Sequence, residues 1–495
     1  MSTPLQLISL IALLSLSTIL ACGQEIEVTI GINFETPAVA SIQGRRTNQS
    51  KTSNRRNLSF LKTVPGAEDL TSRISGLALL DSAGREVTFR KLQDGEYLSD
   101  TEFEGWTYEV DLTPTGNRNA AAHSSWFAAG TGILMLADLL PLFDRETSAG
   151  VTFKTPPRLD HYPTPIWSSE TRKGDIFEIS AIEDAVFYVG SWENGFLLDK
   201  PWPAAELLIS GTWNFDANDM SPIAKEIHDH YSRLLGSNVA GKPFIAIAKF
   251  PVQTKPGEWQ AETRGRNVTI ISSDMPFKTQ SLQRLHEQLR HELFHLWIPN
   301  GVNLTGKYDW FYEGFALYES LKLAVELNRI RFDDFLDTLS RAHTIDSAGS
   351  HRTSLIQMSS NRFSGANTQV YARGMLVAFL CDLALLLQSK GKRSVENILQ
   401  ELFSKHRKPA AAADGNSAVI ALLKSNPNVV SIVEKYIEGA ERLEFSSQLN
   451  NAGLEDGDAG PLTNLRVKEK LNGRQKALLD KLGYNNWRKL SATSK

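Results

Sequence analysis

Cysteine is nearly absent: the 495-residue chain has two, Cys22 and Cys381. It can therefore build neither a disulfide framework nor a four-thiolate zinc site. A surplus of one charge is missing too. Lys and Arg total 53 against 56 Asp and Glu, for a formal charge of −3 at neutral pH. A dedicated nucleic-acid binder would show a strong basic excess, so that class is excluded. With 41% hydrophobic and 22% charged residues, wholesale disorder and fibrous repeats are excluded as well. At ~150 residues per domain the length implies about three domains.

Long apolar runs are also scarce. Leu5 to Ala21 is one, and the first charged residue is Glu25. Its 17 residues suit a signal-peptide core and fall short of the ~20 that span a bilayer. It ends Ile19-Leu20-Ala21-Cys22-Gly23, which resembles a bacterial lipoprotein cleavage box, although no Lys or Arg precedes the apolar core. That resemblance implies residues 1–21 as signal, Cys22 as the lipidated first residue, and a periplasmic or cell-surface lipoprotein held on a membrane surface by its anchor. An ordinary cleaved signal and an uncleaved anchor are the alternatives; all three predict export. The second run, Gly374 to Leu387, spans 14 residues and contains Asp382, so it reads as a buried core helix with Cys381 a small buried hydrophobe.

From residue 25 to 215 the pattern is strand-like. Glu25 onward alternates polar and apolar residues, and short runs follow at 76–80, 86–90, 107–112, 150–153 and 177–182. The stretch 41–62 carries six basic residues and no acid, and reads as a solvated loop. After Ser221 long helical segments take over: 222–235, 280–297, 309–329 and 368–389, with strands at 243–250 and 267–272. The strand at 267–272 reads as a sheet edge. His228 and His230, two apart, read as surface histidines that cannot chelate together. Residues 453–461 are a linker by composition, followed by a basic tail whose helix at 474–482 is expected to pack back on the body.

His291-Glu292-Leu293-Phe294-His295 carries the chemistry. Two histidines four apart on a helix leave from one face and can reach a single zinc. By chance H-E-x-x-H arises in only about one such chain per hundred. Leu282, Leu285, Leu289, Leu293 and Leu296 form one stripe, and the histidine pair points about 140° from its centre. A hydrolytic zinc keeps three protein ligands and an open position. Glu313, on the next helix, is the candidate third ligand. Glu292 would hold and deprotonate the attacking water and return the proton to the leaving amine. Tyr371 is the candidate donor to the oxyanion.

His-Glu-x-x-His-x-Trp, then Trp-Phe-x-Glu-Gly-Phe-Ala-x-Tyr, then Tyr-x-Arg-Gly-Met-Leu-Val-Ala resemble the gluzincin metallopeptidases. The glycyl aminopeptidase family, a relative of the aminopeptidase N family, is the nearest subgroup. The resemblance implies an α+β multidomain chain: an N-terminal β-sandwich-like domain (25–215), a thermolysin-like zinc catalytic domain (216–345), a helical domain (346–454), and a linker with basic tail (455–495). It implies one Zn²⁺ on His291, His295 and Glu313, Glu292 as base and Tyr371 as transition-state donor. Three departures stand out. The gap to Glu313 is one residue short, Arg373 replaces a commoner Lys, and the Gly-Ala-Met-Glu-Asn substrate motif is absent. That motif supplies the carboxylate that grips a substrate ammonium; Glu262 is the nearest replacement in position.

The expected function is a zinc-dependent aminopeptidase removing N-terminal residues, small ones such as Gly or Ala, from peptides outside the cytoplasm. A zinc endopeptidase with the same site, and a non-catalytic surface lipoprotein using the fold for binding, are the alternatives.

Overall fold

The computed structural model describes residues 24–487, apart from 51–54, 144–146, 157–163, 195–201, 350–352, 363–364, 445 and 458–462. Cys22 and the apolar leader lie outside the described residues. What remains is a stack of layers: an eight-stranded sheet, a four-stranded sheet, a five-stranded sheet, and a mass of helices.

The first two layers are a β-sandwich. In the eight-stranded sheet, Ile26–Asn33 lies between the parallel strand Ala149–Lys154 and the antiparallel strand Val39–Arg46. Its alternation buries Ile26, Val28, Ile30 and Ile32 and turns the polar residues between them outward. Val39–Arg46 corrects the reading of 41–62 as a solvated loop. Among the described basic residues there, Arg45 binds Glu27 at 2.6 Å, Lys62 binds Glu96 at 3.0 Å, and buried Arg46 donates to the Phe103 carbonyl at 2.6 Å.

The four-stranded sheet has two apolar faces. Along Thr131–Met135 and Val186–Gly190, Leu134, Phe187 and Val189 face the sandwich core. Ile133, Met135, Val186 and Tyr188 face the other way, onto Leu208, Ala246 and Ile271 of the five-stranded sheet. Such doubly buried strands read as continuous apolar runs, with no polar alternation to reveal them.

The five-stranded sheet runs Glu193–Asn194, Glu206–Ser210, Phe244–Lys249, Asn267–Ser272, Trp259–Arg264. Its three central strands are parallel, and both outer ones antiparallel. Two expectations change here. The strands Glu193–Asn194 and Glu206–Ser210, both before residue 216, pair within this sheet. Asn267–Ser272 is an interior strand, and the edge is Trp259–Arg264. The helix Ala217–Leu235 starts five residues earlier than Pro222 because Asp216 and Asp219 form a reciprocal capping box. His228 on this helix is not a surface residue: it is buried between the rings of Trp202 and Trp297, at 5.1 and 5.2 Å.

The sheet's other face, Leu207, Ile209, Ile245, Ile247, Val268 and Ile270, receives Leu285, Leu289 and Leu293 of the helix Lys278–His295. The same hydrophobic cluster continues without a break through the helices Asp309–Glu326, Phe332–Ala348, Asn367–Ser389 and Val395–His406. Asn367–Ser389 is long and apolar enough to cross a membrane, but its apolar stretch lies buried inside this core, and Cys381 is fully covered. Beyond residue 453, Leu454–Asp456 pairs with Leu465–Val467, so part of the compositional linker is a strand. The helix Gly473–Lys481 sets Leu478 and Leu479 into the same core.

Candidate metal centre

The leucine stripe that docks the Lys278–His295 helix on the sheet leaves its histidine pair facing away, toward the helix Asp309–Glu326. There His291, His295 and Glu313 converge, all three buried. His291 Nε2 lies 3.2 Å from His295 Nε2, and the two stand 3.2 and 3.4 Å from Glu313 Oε2.

The donor set fits a cation. His295 Nδ1 lies 3.1 Å from the Ile298 carbonyl, an oxygen that can only accept, so Nδ1 carries a proton and donates it. In the neutral ring Nε2 is then a bare lone pair, aimed at another imidazole nitrogen and a carboxylate oxygen. Burial favours a neutral His295, yet Glu313 beside it outweighs burial and raises its pKa. Burial pushes Glu313 up, and Arg362, His295 and His291 pull it well below the carboxylate range. Three lone-pair donors packed this closely in a low-dielectric interior demand positive charge between them. Two imidazoles and one carboxylate are the open three-ligand set that suits catalytic zinc.

The helices Asp309–Glu326 and Asn367–Ser389 meet closely at two glycines. Gly314 follows Glu313, and Gly374 lies one turn beyond Tyr371. A Cβ on Gly374 would sit 2.5 Å from the Trp310 carbonyl oxygen and 2.9 Å from the Gly314 Cα. A Cβ on Gly314 would meet Gly374 backbone at 2.4 Å. The helices cross backbone to backbone, and that crossing delivers Tyr371 to the site: its ring lies 6.2 Å from that of His291. Arg373, two residues on, points elsewhere. It ties this helix to Asp346 at 3.3 Å and to the carbonyls of Tyr436 and Glu441.

Glu292 is buried and positioned from the edge strand Trp259–Arg264: Thr263 Oγ1 donates to Glu292 Oε2 at 2.7 Å and stands 3.0 Å from its carbonyl. That strand escaped the sequence reading. Its six residues are all half-buried, so no clean alternation marks it.

Glu262 lines the same cleft, but both of its oxygens are engaged. Arg264 Nε donates to Oε1 at 2.9 Å, and His123 Nδ1, from the N-terminal sandwich, lies 2.5 Å from Oε2. Burial would raise this carboxyl; Arg264 and His123 overcome it and lower the pKa to about 2.

Arg362 escaped the sequence reading entirely. Its Nη1 lies 2.9 Å from Glu313 Oε1 and 2.8 Å from Asp309 Oδ1, and its Nη2 donates to the Tyr371 hydroxyl at 2.5 Å. Nothing local flags it, since it follows a short helix, Leu355–Ser360, and is brought in only by tertiary packing. These groups line one cleft of about 1110 Å³, walled by the sandwich, the edge strand and the helices.

No family model and no curated protein matches the chain in sequence. Solved structures do match. An aminopeptidase N family protein from Idiomarina loihiensis superimposes with a TM-score of 0.70 at 17% identity, over 87% of this chain and 79% of that one. An M1 zinc metallopeptidase from Deinococcus radiodurans, bound to a Tyr-Ser-Ala substrate, gives 0.52 at 15% identity over 85% of this chain and 94% of that one. The protein thus has the multidomain α+β fold of the aminopeptidase N family and M1 zinc metallopeptidases.

Proposed function

We propose that this protein is a zinc-dependent aminopeptidase acting on short peptides outside the cytoplasm, with a preference for small N-terminal residues. The observation that carries it is the convergence of His291, His295 and Glu313 beside a buried Glu292 held by Thr263, on the fold of zinc peptidases. Export is supported by the apolar leader ending at Cys22, whose lipidation would keep the enzyme at a membrane surface.

His291, His295 and Glu313 would hold the ion, and bound zinc polarises a carbonyl and acidifies water. The remaining chemistry belongs to the protein. Glu292 takes the proton of the attacking water and returns it to the departing amine. Tyr371 donates its hydroxyl proton in a hydrogen bond to the oxyanion that develops on the carbonyl. Burial keeps that phenol protonated far above its ordinary pKa. The burial of His291, Glu292, His295 and Glu313 shields the centre from bulk water, which strengthens both interactions.

A zinc endopeptidase is the second reading, and one observation favours it. The Glu262 carboxylate, the nearest anchor for a substrate ammonium, already has both oxygens engaged by Arg264 and His123. Peptide-library digestion with free and N-blocked termini, with and without a chelator, separates the two. Loss of cleavage on blocking supports the aminopeptidase; cleavage of blocked peptides at equal rate supports the endopeptidase. Glu292→Gln should lower kcat by about 10²–10⁴-fold with zinc retained. Wild-type turnover by that variant would defeat both readings.

A further inference from the structure

We propose that Arg362 is a positioning residue with two tasks: it fixes Glu313 as a one-oxygen metal ligand, and it sharpens Tyr371 as a hydrogen-bond donor. The inference rests on the zinc peptidase reading and adds to it a residue outside the ligand-and-base set.

The guanidinium is nearly enclosed, its side chain 13% exposed, and its donors are spent on the site's own parts. Nη1 reaches Asp309 Oδ1 at 2.8 Å and Glu313 Oε1 at 2.9 Å, two carboxylates one helical turn apart. Nε donates to Asn367 Oδ1 at 2.9 Å, at the start of the helix that carries Tyr371. Nη2 donates to the Tyr371 hydroxyl, and the guanidinium carbon lies 5.0 Å from that ring's centroid. One planar cation therefore fastens the helix of Glu313 to the helix of Tyr371.

Two consequences follow from elementary chemistry. With Oε1 occupied by Arg362, Glu313 presents Oε2 alone to the histidine pair, so it binds an ion through one oxygen and leaves room for substrate and water. Groups that hold a metal-binding carboxylate in this way are typically worth about 10–100-fold in metal affinity or activity. At Tyr371, a charged donor on the phenol oxygen draws electron density from the O–H bond, so the hydroxyl becomes a stronger donor to an oxyanion. The same bond also fixes the direction in which the hydroxyl hydrogen can point. Lysine could not replace these functions, because a single ammonium cannot match the fork that meets two carboxylates and a phenol at once.

The test compares wild type, Arg362→Gln, Arg362→Lys, Tyr371→Phe and the Arg362→Gln/Tyr371→Phe double variant. Three quantities are read: kcat and KM on an aminoacyl reporter, zinc affinity by chelator competition, and the thermal midpoint of the zinc-free protein. Arg362→Gln should lose about 10–100-fold in kcat with KM within about threefold, and zinc affinity should weaken by about tenfold or more. The kcat loss should largely vanish in the Tyr371→Phe background, whereas the weakened zinc affinity should persist there. Arg362→Lys should recover little of either. Kcat losses that multiply independently of Tyr371→Phe, full recovery by Arg362→Lys, or unchanged zinc affinity would overturn the proposal. If Arg362→Gln unfolds, Arg362→Lys carries the same two readouts, because it keeps the charge and most of the stem. A wild-type protein that binds zinc but cleaves neither the aminoacyl reporter nor N-blocked peptides would defeat the peptidase reading instead; the zinc-affinity comparison would still decide the part played by Arg362 at Glu313.

Discussion

At the scale of single residues, the site is a set of local decisions held in place by distant ones. His291 and His295 were legible because a four-residue spacing on a helix fixes their common face without any tertiary information. Glu313 followed from the next helix in the chain. Thr263, His123 and Arg362 were not legible: each is recruited across more than 25 residues of sequence, and none belongs to a periodic pattern. Thr263 gives a sharp expectation. It is the hydroxyl that directs Glu292, so Thr263→Ala should cost about 10–100-fold in kcat with zinc content unchanged, and Thr263→Ser should restore most of it. Steady-state kinetics with metal analysis on the two variants checks this. Glu262 is the residue whose part the sequence left most open. If it anchors a substrate ammonium despite Arg264, Glu262→Gln should raise KM at least about tenfold for free-amine peptides, ~1.4 kcal/mol, and leave N-blocked peptides unchanged.

Among elements, the long helices lay close to where periodicity put them: 280–297 was expected and Lys278–His295 is found, 368–389 was expected and Asn367–Ser389 is found. The strands Thr131–Met135, Val186–Gly190 and Glu206–Ser210 were invisible because all are covered on both faces, leaving no period of two to read. The crossing of the helices that bear Glu313 and Tyr371 tolerates no methyl group. Gly374→Ala should destabilise the fold by about 1–3 kcal/mol and depress kcat, because the helices must part to admit the Cβ. Thermal denaturation and kinetics on the zinc-loaded variant measure both effects.

The Asp309–Glu326 helix also buries a second group of charges, away from the metal centre. Glu319 is 2% exposed, and its Oε1 has no hydrogen-bond partner. Lys322 stands 3.7 Å off but is closer to Asp382, at 3.2 Å, and to Glu396, at 2.7 Å. Burial raises the Glu319 pKa to about 8; Lys322 opposes this, and Glu396, Asp382 and Glu326 reinforce it. The folded protein thus holds a proton that the unfolded chain releases near 4.5, so this group lowers stability as pH climbs from about 4.5 to about 8. Glu319→Gln should melt higher than wild type, with a gap that widens from pH 5 to pH 8. A gap that is constant or closes over that range would contradict the assignment.

For the whole molecule, one cluster of buried side chains unites the helices that carry His291, His295 and Glu313 with the C-terminal helices, so an ion bound by those residues would be linked to global stability. Stripping the ion with a chelator should lower the thermal midpoint, and zinc should restore it; saturation at ~1,000 times Kd corresponds to about 4 kcal/mol. Calorimetry on the same sample before and after reloading reads this directly.

The β-sandwich meets the five-stranded sheet across a packed seam. Trp126, Ile133 and Tyr188 press against Leu208, Ala246 and Ile271, with Tyr188 hydrogen-bonded to Thr269 at 2.8 Å and Thr131 to Ser210 at 2.7 Å. A dry, bolted seam of this kind does not work as a hinge. The gap it sets between His123 and the helices of His291 and Glu313 is a fixed gauge, about 1110 Å³ in capacity and slightly above the size typical of small-molecule pockets. On the peptidase reading, a cleft of that capacity suits a peptide of a few residues rather than a folded domain.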